Sequence, residues 1–489
     1  MAEVQQVPGG VEADSILGRI FDEGRLVRHE HQVDAARSML SGFIEEATRA
    51  GTALDGSAKR AVAERIAAID SIISAQVNEV LHHSKFQQLE ASWRSLDRLM
   101  TENELSTSLK VRVFNVRRRE LERDFARAPD FDQSHFFKSV YEDEYGTLGG
   151  SPYSFLIGDM EFGRTPPDIQ LLRNIGAVAS MSHAPFFAGA DPGLLDLDSF
   201  TELDRPIDIA RIFESSEMGA WNSLRDSADA RYLVLTAPRV LARQPWGADS
   251  APIDDMDFNE DVSGGDHEQY LWAPSSWSLG SLVMKSFAEH GWPSAIRGTE
   301  TGGKVANLPL HSFPSLSGSR ITKCPTETTI TDRREKELSD QGLIGLCHAR
   351  NTDFAVVFSG ATLNRPRKYM EDEATANAKL SASLPYVLAC SRFAHYLKAM
   401  MRDKVGGFTS REEIERYLND WIMQYVTSDD QASHAAKARF PLREARVEVK
   451  DVAGKPGSYT AVAHLRPHFQ LEELTASLRL VADLPQQGR

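Results

Sequence analysis

The sequence predicts a multidomain α/β protein of mixed α+β character, and three observations carry that prediction. The chain runs to 489 residues, too long for one compact core and suited to two to four units. Apolar residues recur at alternating steps of three and four, from Phe86 through Leu89, Trp93 and Leu96 to Met100, which draws one stripe down a helix. Near the end, REARVEVKDV and SYTAVAHLRPHF alternate with period two on either side of Ala453-Gly454-Lys455-Pro456-Gly457, the pattern of a β-hairpin.

Taken in order, residues 1–57 mix glycine and polar residues with short apolar groups (Ile16, Leu17, Ile20 and Phe21, then Leu26 and Val27), and Met39 to Ala47 has a helical pattern. This composition fits an arm carrying short elements rather than a domain. Val62, Ile66, Ile69, Ile73, Val77 and Val80 then line one helix face, with Lys59, Arg60, Glu64, Arg65 and Asp70 away from it. With the Phe86–Met100 stripe this makes two successive amphipathic helices over about 58–104. Such seams want another helix to lie against, supplied by an intramolecular bundle or by a partner. LKVRVFNV, Leu109 to Val116, alternates as a strand, and RRRELERDFARA reads as a charged helix.

From about 134 to 365 the pattern is mixed, with strands expected in YSFLIGDM, RYLVLTA and TDFAVVFSG and helices after Pro167, Pro206 and Trp277. The acidic, turn-rich segment 247–266 is expected on the surface. A long helix is expected from Asn377 to Asp403 and another from Ser410 to Tyr425, followed by a polar linker, TSDDQASHAAKA. After the hairpin, LEELTASLRLVADL closes the chain as an amphipathic stretch, and the hairpin itself needs a third strand or a packed helix to be stable.

Composition narrows the functional classes. No apolar run approaches the roughly 18 residues that span a bilayer, so direct membrane insertion is not expected. The N-terminus lacks the basic and apolar regions of a signal peptide, and a cytoplasmic protein is expected. Cys324, Cys347 and Cys390 are too scattered for a disulfide framework or a zinc site and read as reduced, buried thiols. The 55 basic and 70 acidic residues leave a net charge of -15, which removes the usual electrostatic basis for nucleic-acid binding. Arg117, Arg118 and Arg119 form a local basic cluster suited to surface charge or partner contacts.

Signals for chemistry are weak. Gly298 to Lys304 fits G-x-x-x-x-G-K, yet Val305 replaces the magnesium-binding hydroxyl, two prolines follow where a helix must start, and Trp292-Pro293 interrupts the preceding strand. A glycine-rich turn is the expectation, with a nucleotide-binding enzyme as the alternative. Asp255, Asp257 and Asn259 resemble the opening of a calcium loop, but Glu260 stands at the turn glycine and Asp266 at the bidentate glutamate. His267-Glu268 lacks a second histidine, and neither His29 with His31 nor His82 with His83 has a third ligand. No cofactor, metal or catalytic residue is expected.

The strings FQQLEASWRSLDRL, YEDEYGTLGGSPYSFLIGDMEFG, MSHAPFFAGA, SLRDSADARYLVLTAPRVLARQPWG, HEQYLWAPSSWSLG, PTETTITDRREKELSDQGLIGL and PLREARVEVKDV resemble the large sheath subunit of the bacterial type VI secretion system, the TssC or VipB family. The resemblance runs from about residue 12 to 484. It implies pairing with a small sheath subunit (TssB/VipA-like), self-assembly into a helical sheath around an inner tube (Hcp-like) on a baseplate, and recycling by an ATP-driven unfoldase (ClpV-like). A non-polymerising adaptor is the remaining alternative. The resemblance also divides the chain into an arm, 1–57; a helical partner-binding region, 58–130; a central α/β sheath domain, 131–376; and a phage-sheath-like domain at the inner wall, 377–489. Partner contacts would then fall on Ile66, Ile69, Ile73, Val77, Val80, Phe86, Leu89, Trp93, Leu96 and Met100. Strands exchanged between protomers would use Leu26, Val27, Val447, Val449, Tyr459 and Val462.

Overall fold

The computed structural model describes residues 58–468, apart from 249, 254–255, 257, 263–266, 315–318, 404–409, 430 and 452–458, together with a few residues between 34 and 42. Leu26, Val27 and the closing stretch 471–484 lie outside the described residues. The chain divides into two compact units, Met1–Ala75 and Gln76–Arg489. In the first, the described structure is chiefly the opening of α1 (Ala58–Leu81), an alanine-rich run of strong helix formers.

The second unit begins with the end of α1 and with α2 (Ser84–Glu102), whose first turn is capped by His83 Nδ1 accepting from Lys85 N at 3.3 Å. After an irregular stretch, α3 (Arg118–Arg127) buries Leu121 and Phe125. A six-stranded sheet follows. Its strands are β1 (Leu156–Phe162), β2 (Phe186–Ala190), β3 (Leu233–Ala237), β4 (Lys304–Val305), β5 (Leu343–His348) and β6 (Ala355–Val357). Their order is β1-β2-β3-β5-β6-β4, with the first four parallel and β6 antiparallel to both neighbours.

Parallel strands need crossovers and covered faces, and the sequence between the strands supplies the helices. The first is α4 (Pro166–Ser182), with Thr165 as cap, two prolines in its opening turn and His183 in the left-handed conformation (φ 52°) at its end. The others are α5 (Ile209–Phe213), α6 (Gly219–Arg225), α7 (Ser276–His290) and α8 (Asp332–Asp340). Every residue of β2 and β3 is buried. Phe186, Ala188, Leu233 and Leu235 face one core with Leu172, Ile175 and Phe200. Phe187 and Val234, one residue out of step, face a second core with Leu279, Leu282 and Val283.

The C-terminal part contains α9 (Asp372–Ser381), α10 (Leu384–Asp403), α11 (Arg411–Ile422), α12 (His434–Arg439) and the hairpin β7 (Leu442–Asp451) with β8 (Tyr459–Pro467). A third core unites Trp292, Phe393, Leu418, Ile422, Leu442, Val447 and Val449, with the Trp292 and Phe393 rings stacked at 4.2 Å.

Several expectations need correction. The long helix from Asn377 breaks at Ala382 and Ser383 because Pro385 lacks the N–H that would continue it. The break is stitched to the body by Thr362 Oγ1 donating to Ala382 O (2.7 Å) and Leu384 N donating to Gly360 O (2.7 Å). The polar linker contains α12, capped by Ser433 Oγ, which accepts from Ala436 N. The helix after Pro206 is only the short α5. The acidic segment 247–266 is not wholly superficial, since Phe258 is buried and Glu260 is drawn inward by an arginine. Leu109 to Val116 forms no ladder among the described residues.

Candidate partner-binding face and open strand edges

α2 has two faces of opposite kind. Ala91, Ser95 and Leu99, spaced by four, are buried against the sheet body, where Asn103 Nδ2 donates to Ser281 Oγ of α7 at 3.1 Å. The large apolar residues point the other way. Trp93 is 65% exposed and Leu89 55%, Phe86 and Met100 are exposed, and Leu96 is half-buried. Among the described residues, no helix covers the stripe. On α1, Ile66, Ile69, Ile73 and Val80 are exposed and Val77 is half-buried. An ordinary amphipathic helix hides its large residues and shows its polar ones. In α2 small residues permit close docking, and its large ones are left facing solvent, as on interaction surfaces.

Charged ties hold that geometry. Glu90 accepts from Arg94 Nε and Arg243 Nε, both at 2.7 Å, and Arg243 Nη1 reaches Glu260 Oε2 at 2.6 Å. Burial works to raise the Glu90 carboxyl, but Arg243 and Arg94 hold it below its ordinary value. At the other end Glu102 accepts from Arg98 (2.7 Å) and Lys285 (3.1 Å). Ser92 donates to Asp159, which also accepts from Trp277 Nε1 at 3.0 Å. The sequence pattern missed the docking face because alanine and serine carry little hydrophobic signal; their spacing of four was the available clue.

The hairpin is a two-stranded sheet in which Val447 lies opposite Ala463, Glu448 opposite Val462 and Val449 opposite Ala461. Val447 is fully buried and Val449 nearly so, in the third core of this same chain. Their side chains anchor the hairpin internally, which corrects the expectation that they meet a neighbour. Tyr459 is half-buried and Val462 is 38% exposed. The outer edge of β7 is also occupied. Asn419 of α11 accepts from Val447 N (2.9 Å) and donates to Val447 O (2.7 Å), and Glu415 Oε2 accepts from Val449 N (3.0 Å).

The weak chemical signals resolve into structure. Gly298 N donates to Val357 O, Gly303 N to Gly298 O, and Val357 N to Gly303 O, so these loop amides serve the chain's own backbone instead of cradling phosphate. Lys304 lies on β4 with Nζ 4.2 Å from the Phe354 ring centre. Asn259 accepts from Ala248 N, while Asp255 and Asp257 lie outside the described residues. His82 pairs with Glu260 at 3.4 Å and His267 with Glu327 at 3.0 Å. The carboxyl ends of the parallel strands, where open α/β sheets commonly hold ligands, are filled by Arg239 bridging Glu161 (2.5 Å) and Glu327 (3.4 Å). Burial raises the Glu161 carboxyl against the pull of Arg239. Among the described residues no cluster of three or more His, Cys, Asp or Glu could hold a metal ion, and no helix is long and apolar enough to cross a membrane.

This is a mixed α/β body with large apolar residues of α2 turned outward and, among the described residues, one hairpin edge blocked and the other unpaired. Two family models match the chain: the VipB tail sheath N-terminal domain (EvpB/VC_A0108) over residues 63–364, and the VipB tail sheath gpW/gp25-like domain over 373–484. The type VI secretion system sheath protein TssC1 of Pseudomonas aeruginosa is 43% identical over 459 residues, covering 93% of this chain and 92% of that protein. The chain belongs to this family and is a contractile-sheath subunit of the type VI secretion system. Structural matches include the anti-feeding prophage baseplate (12% identity, TM-score 0.36, 65% of this chain and 67% of that one). Another is the contracted sheath of an extracellular contractile injection system, PVC (11%, TM-score 0.34, 64% and 69%).

Proposed function

We propose that the chain pairs with a small sheath subunit through the outward stripe of α1 and α2, and that the pairs polymerise in the cytoplasm into a helical tube around an inner tube. In this reading residues 1–57 act as an arm, 58–130 bind the partner, 131–376 form the sheath body and 377–489 line the inner wall. The extended tube is metastable, and contraction buries more surface between protomers, driving the inner tube and its spike outward from a baseplate. Mechanical work then comes from repacking, with no chemical step in this chain. ATP enters only through the unfoldase that dismantles the contracted form.

The observation that carries the pairing is the outward Trp93 on a helix whose opposite face is already docked. Fully burying an apolar side chain is worth about 1.5–3 kcal/mol, so the stripe supplies several kcal/mol only when another chain covers it. Trp93→Asp and Leu96→Asp are expected to leave soluble, folded protein and to reduce co-purification of the small subunit more than about a hundredfold. Unchanged pull-down would show that this face is not the docking surface. Negative-stain microscopy of the co-expressed pair separates the sheath reading, which gives long tubules, from a closed adaptor complex, which gives discrete particles.

A further inference from the structure

We infer that Lys110–Val116 is an unpaired edge strand, completed by an extended segment of the small subunit that alternates apolar and acidic residues. This rests on the pairing proposed above and adds a second, backbone-mediated contact to it. The sequence of this stretch has the period-two pattern of a strand. Three alternate residues contact the body, and Val111 is half-buried as well. Arg112 pairs with Glu144 and lies over the Tyr153 ring at 5.8 Å, the Phe114 ring is 6.0 Å from that of Phe136, and Val116 packs on the first core. Between them Val113 faces away and is 70% exposed. The body contacts of Arg112, Phe114 and Val116, two residues apart, fit an extended segment.

The ends are pinned and the middle is unpaired. Ser106 N donates to Leu109 O, and Arg117 N donates to Glu120 Oε2 at 2.9 Å. Between these points, among the described residues, the backbone groups of Lys110–Val116 make no hydrogen bond to protein. Seven consecutive residues held in strand-like contact with their amides and carbonyls unused form a template for strand addition. Just beyond the strip, Arg118 Nη1 donates to Glu161 O of β1, the first strand of the main sheet, at 3.1 Å.

Charge and continuity choose the occupant. In a chain of net charge -15, this stretch is a basic island in which Lys110, Arg117 and Arg119 form no ion pair with described residues. An incoming strand carrying carboxylates would be attracted to it, and like charge would be repelled. The strip follows α2 directly in sequence, so a partner docked on Trp93 is already positioned to reach it.

Hydrogen exchange on the full chain, alone and co-purified with the small subunit, tests this. The expected result is fast exchange over 109–117 in the isolated chain and slowing by about tenfold or more in the complex. Val113→Pro removes an outward amide at an exposed position. It is expected to leave the melting temperature of the isolated chain unchanged and to weaken partner retention about tenfold, while Val113→Thr retains the partner. Protection already present in the isolated chain would overturn the inference, because residues 1–57 or a second copy would then supply the strand. A co-purified complex in which 109–117 still exchanges fast would overturn this inference alone. No co-purification at all would overturn the pairing reading and this inference with it.

Discussion

The Sγ of Cys324 lies 3.4 Å from His348 Nδ1 and 3.2 Å from Thr326 Oγ1, and His348 Nε2 is 2.9 Å from Thr352 O. The carbonyl accepts from His348 Nε2, and a second proton on Nδ1 makes the ring an imidazolium that donates to the sulfur. Burial alone would raise the thiol, but the hydrogen bonds from His348 and Thr326 outweigh it and hold Cys324 at about 7. Burial pushes Cys347 to about 12, and pushes Cys390 to about 12 against a hydrogen bond with Tyr386. In iodoacetamide labelling of the native protein from pH 6 to 9, Cys324 is expected to react with a midpoint near pH 7 while the other two stay silent. His348→Gln should move that midpoint upward by about one unit or more; equal labelling of all three thiols would refute the assignment. Because the folded value is depressed, the thiolate's contribution to stability is present above the ordinary value of 9.0 and lost as pH falls through about 7. In the sequence these were three scattered, equivalent thiols. What separates them is a contact to His348 across a fold that residue spacing does not encode.

At the scale of elements, α2 stays docked because one buried guanidinium serves two carboxylates. The Arg243 side chain is 8% exposed, and its partners Glu90 and Glu260 are 11% and 2% exposed. Arg243→Met keeps most of the volume but leaves the buried Glu260 without its guanidinium and Glu90 with Arg94 alone, a change expected to cost about 3–5 kcal/mol. Urea unfolding monitored by tryptophan fluorescence measures it; a loss below about 1 kcal/mol would mean the pair only decorates a helix held by packing. The hairpin and the strands β1, β3 and β6 were legible because β-branched and aromatic runs, and turns rich in glycine and proline, report local geometry directly, whereas β2, β4 and β5 were not read as strands. The stripe from Phe86 to Met100 was legible as a pattern, but its direction was not. Periodicity shows that one face is apolar, and only the fold shows that Ala91, Ser95 and Leu99 already occupy the inner side. The break before Pro385 was readable and overridden by the long apolar pattern around it. Lys110–Val116 has the sequence of a strand and no ladder among the described residues, as expected where half of a β-pair belongs to another chain.

For the whole molecule, the question is which backbone edge remains to join one protomer to the next. Val447 and Val449 turn their amides away from β8 toward Asn419 and Glu415, which closes the outer edge of β7. In an antiparallel ladder the residues directly opposite, Ala463 and Ala461, also turn their amides away from the partner strand, on the far side of β8. Leu465 O is taken by Tyr386 OH at 3.2 Å, and among the described residues the stretch from Tyr459 to Ala463 has no partner on that side, so we propose it as the place where a neighbour's strand adds. Such a strand gains about 1 kcal/mol per hydrogen bond, while ordering its backbone costs roughly 1–2 kcal/mol per residue. Hydrogen bonds alone therefore do not hold it. Burial of side chains beside the exposed Val462, and the high effective concentration inside a polymer, tip the balance. On the reading proposed above, a mesh formed this way lets rigid bodies rotate during contraction without separating. Ala461→Pro removes one outward amide at an edge position where proline is tolerated. It is expected to leave the melting temperature and the pairing with the small subunit intact and to abolish long tubules in negative-stain micrographs, while Ala461→Thr still forms them. Tubules of normal length from the proline variant would place the joint between protomers on some other edge of the molecule.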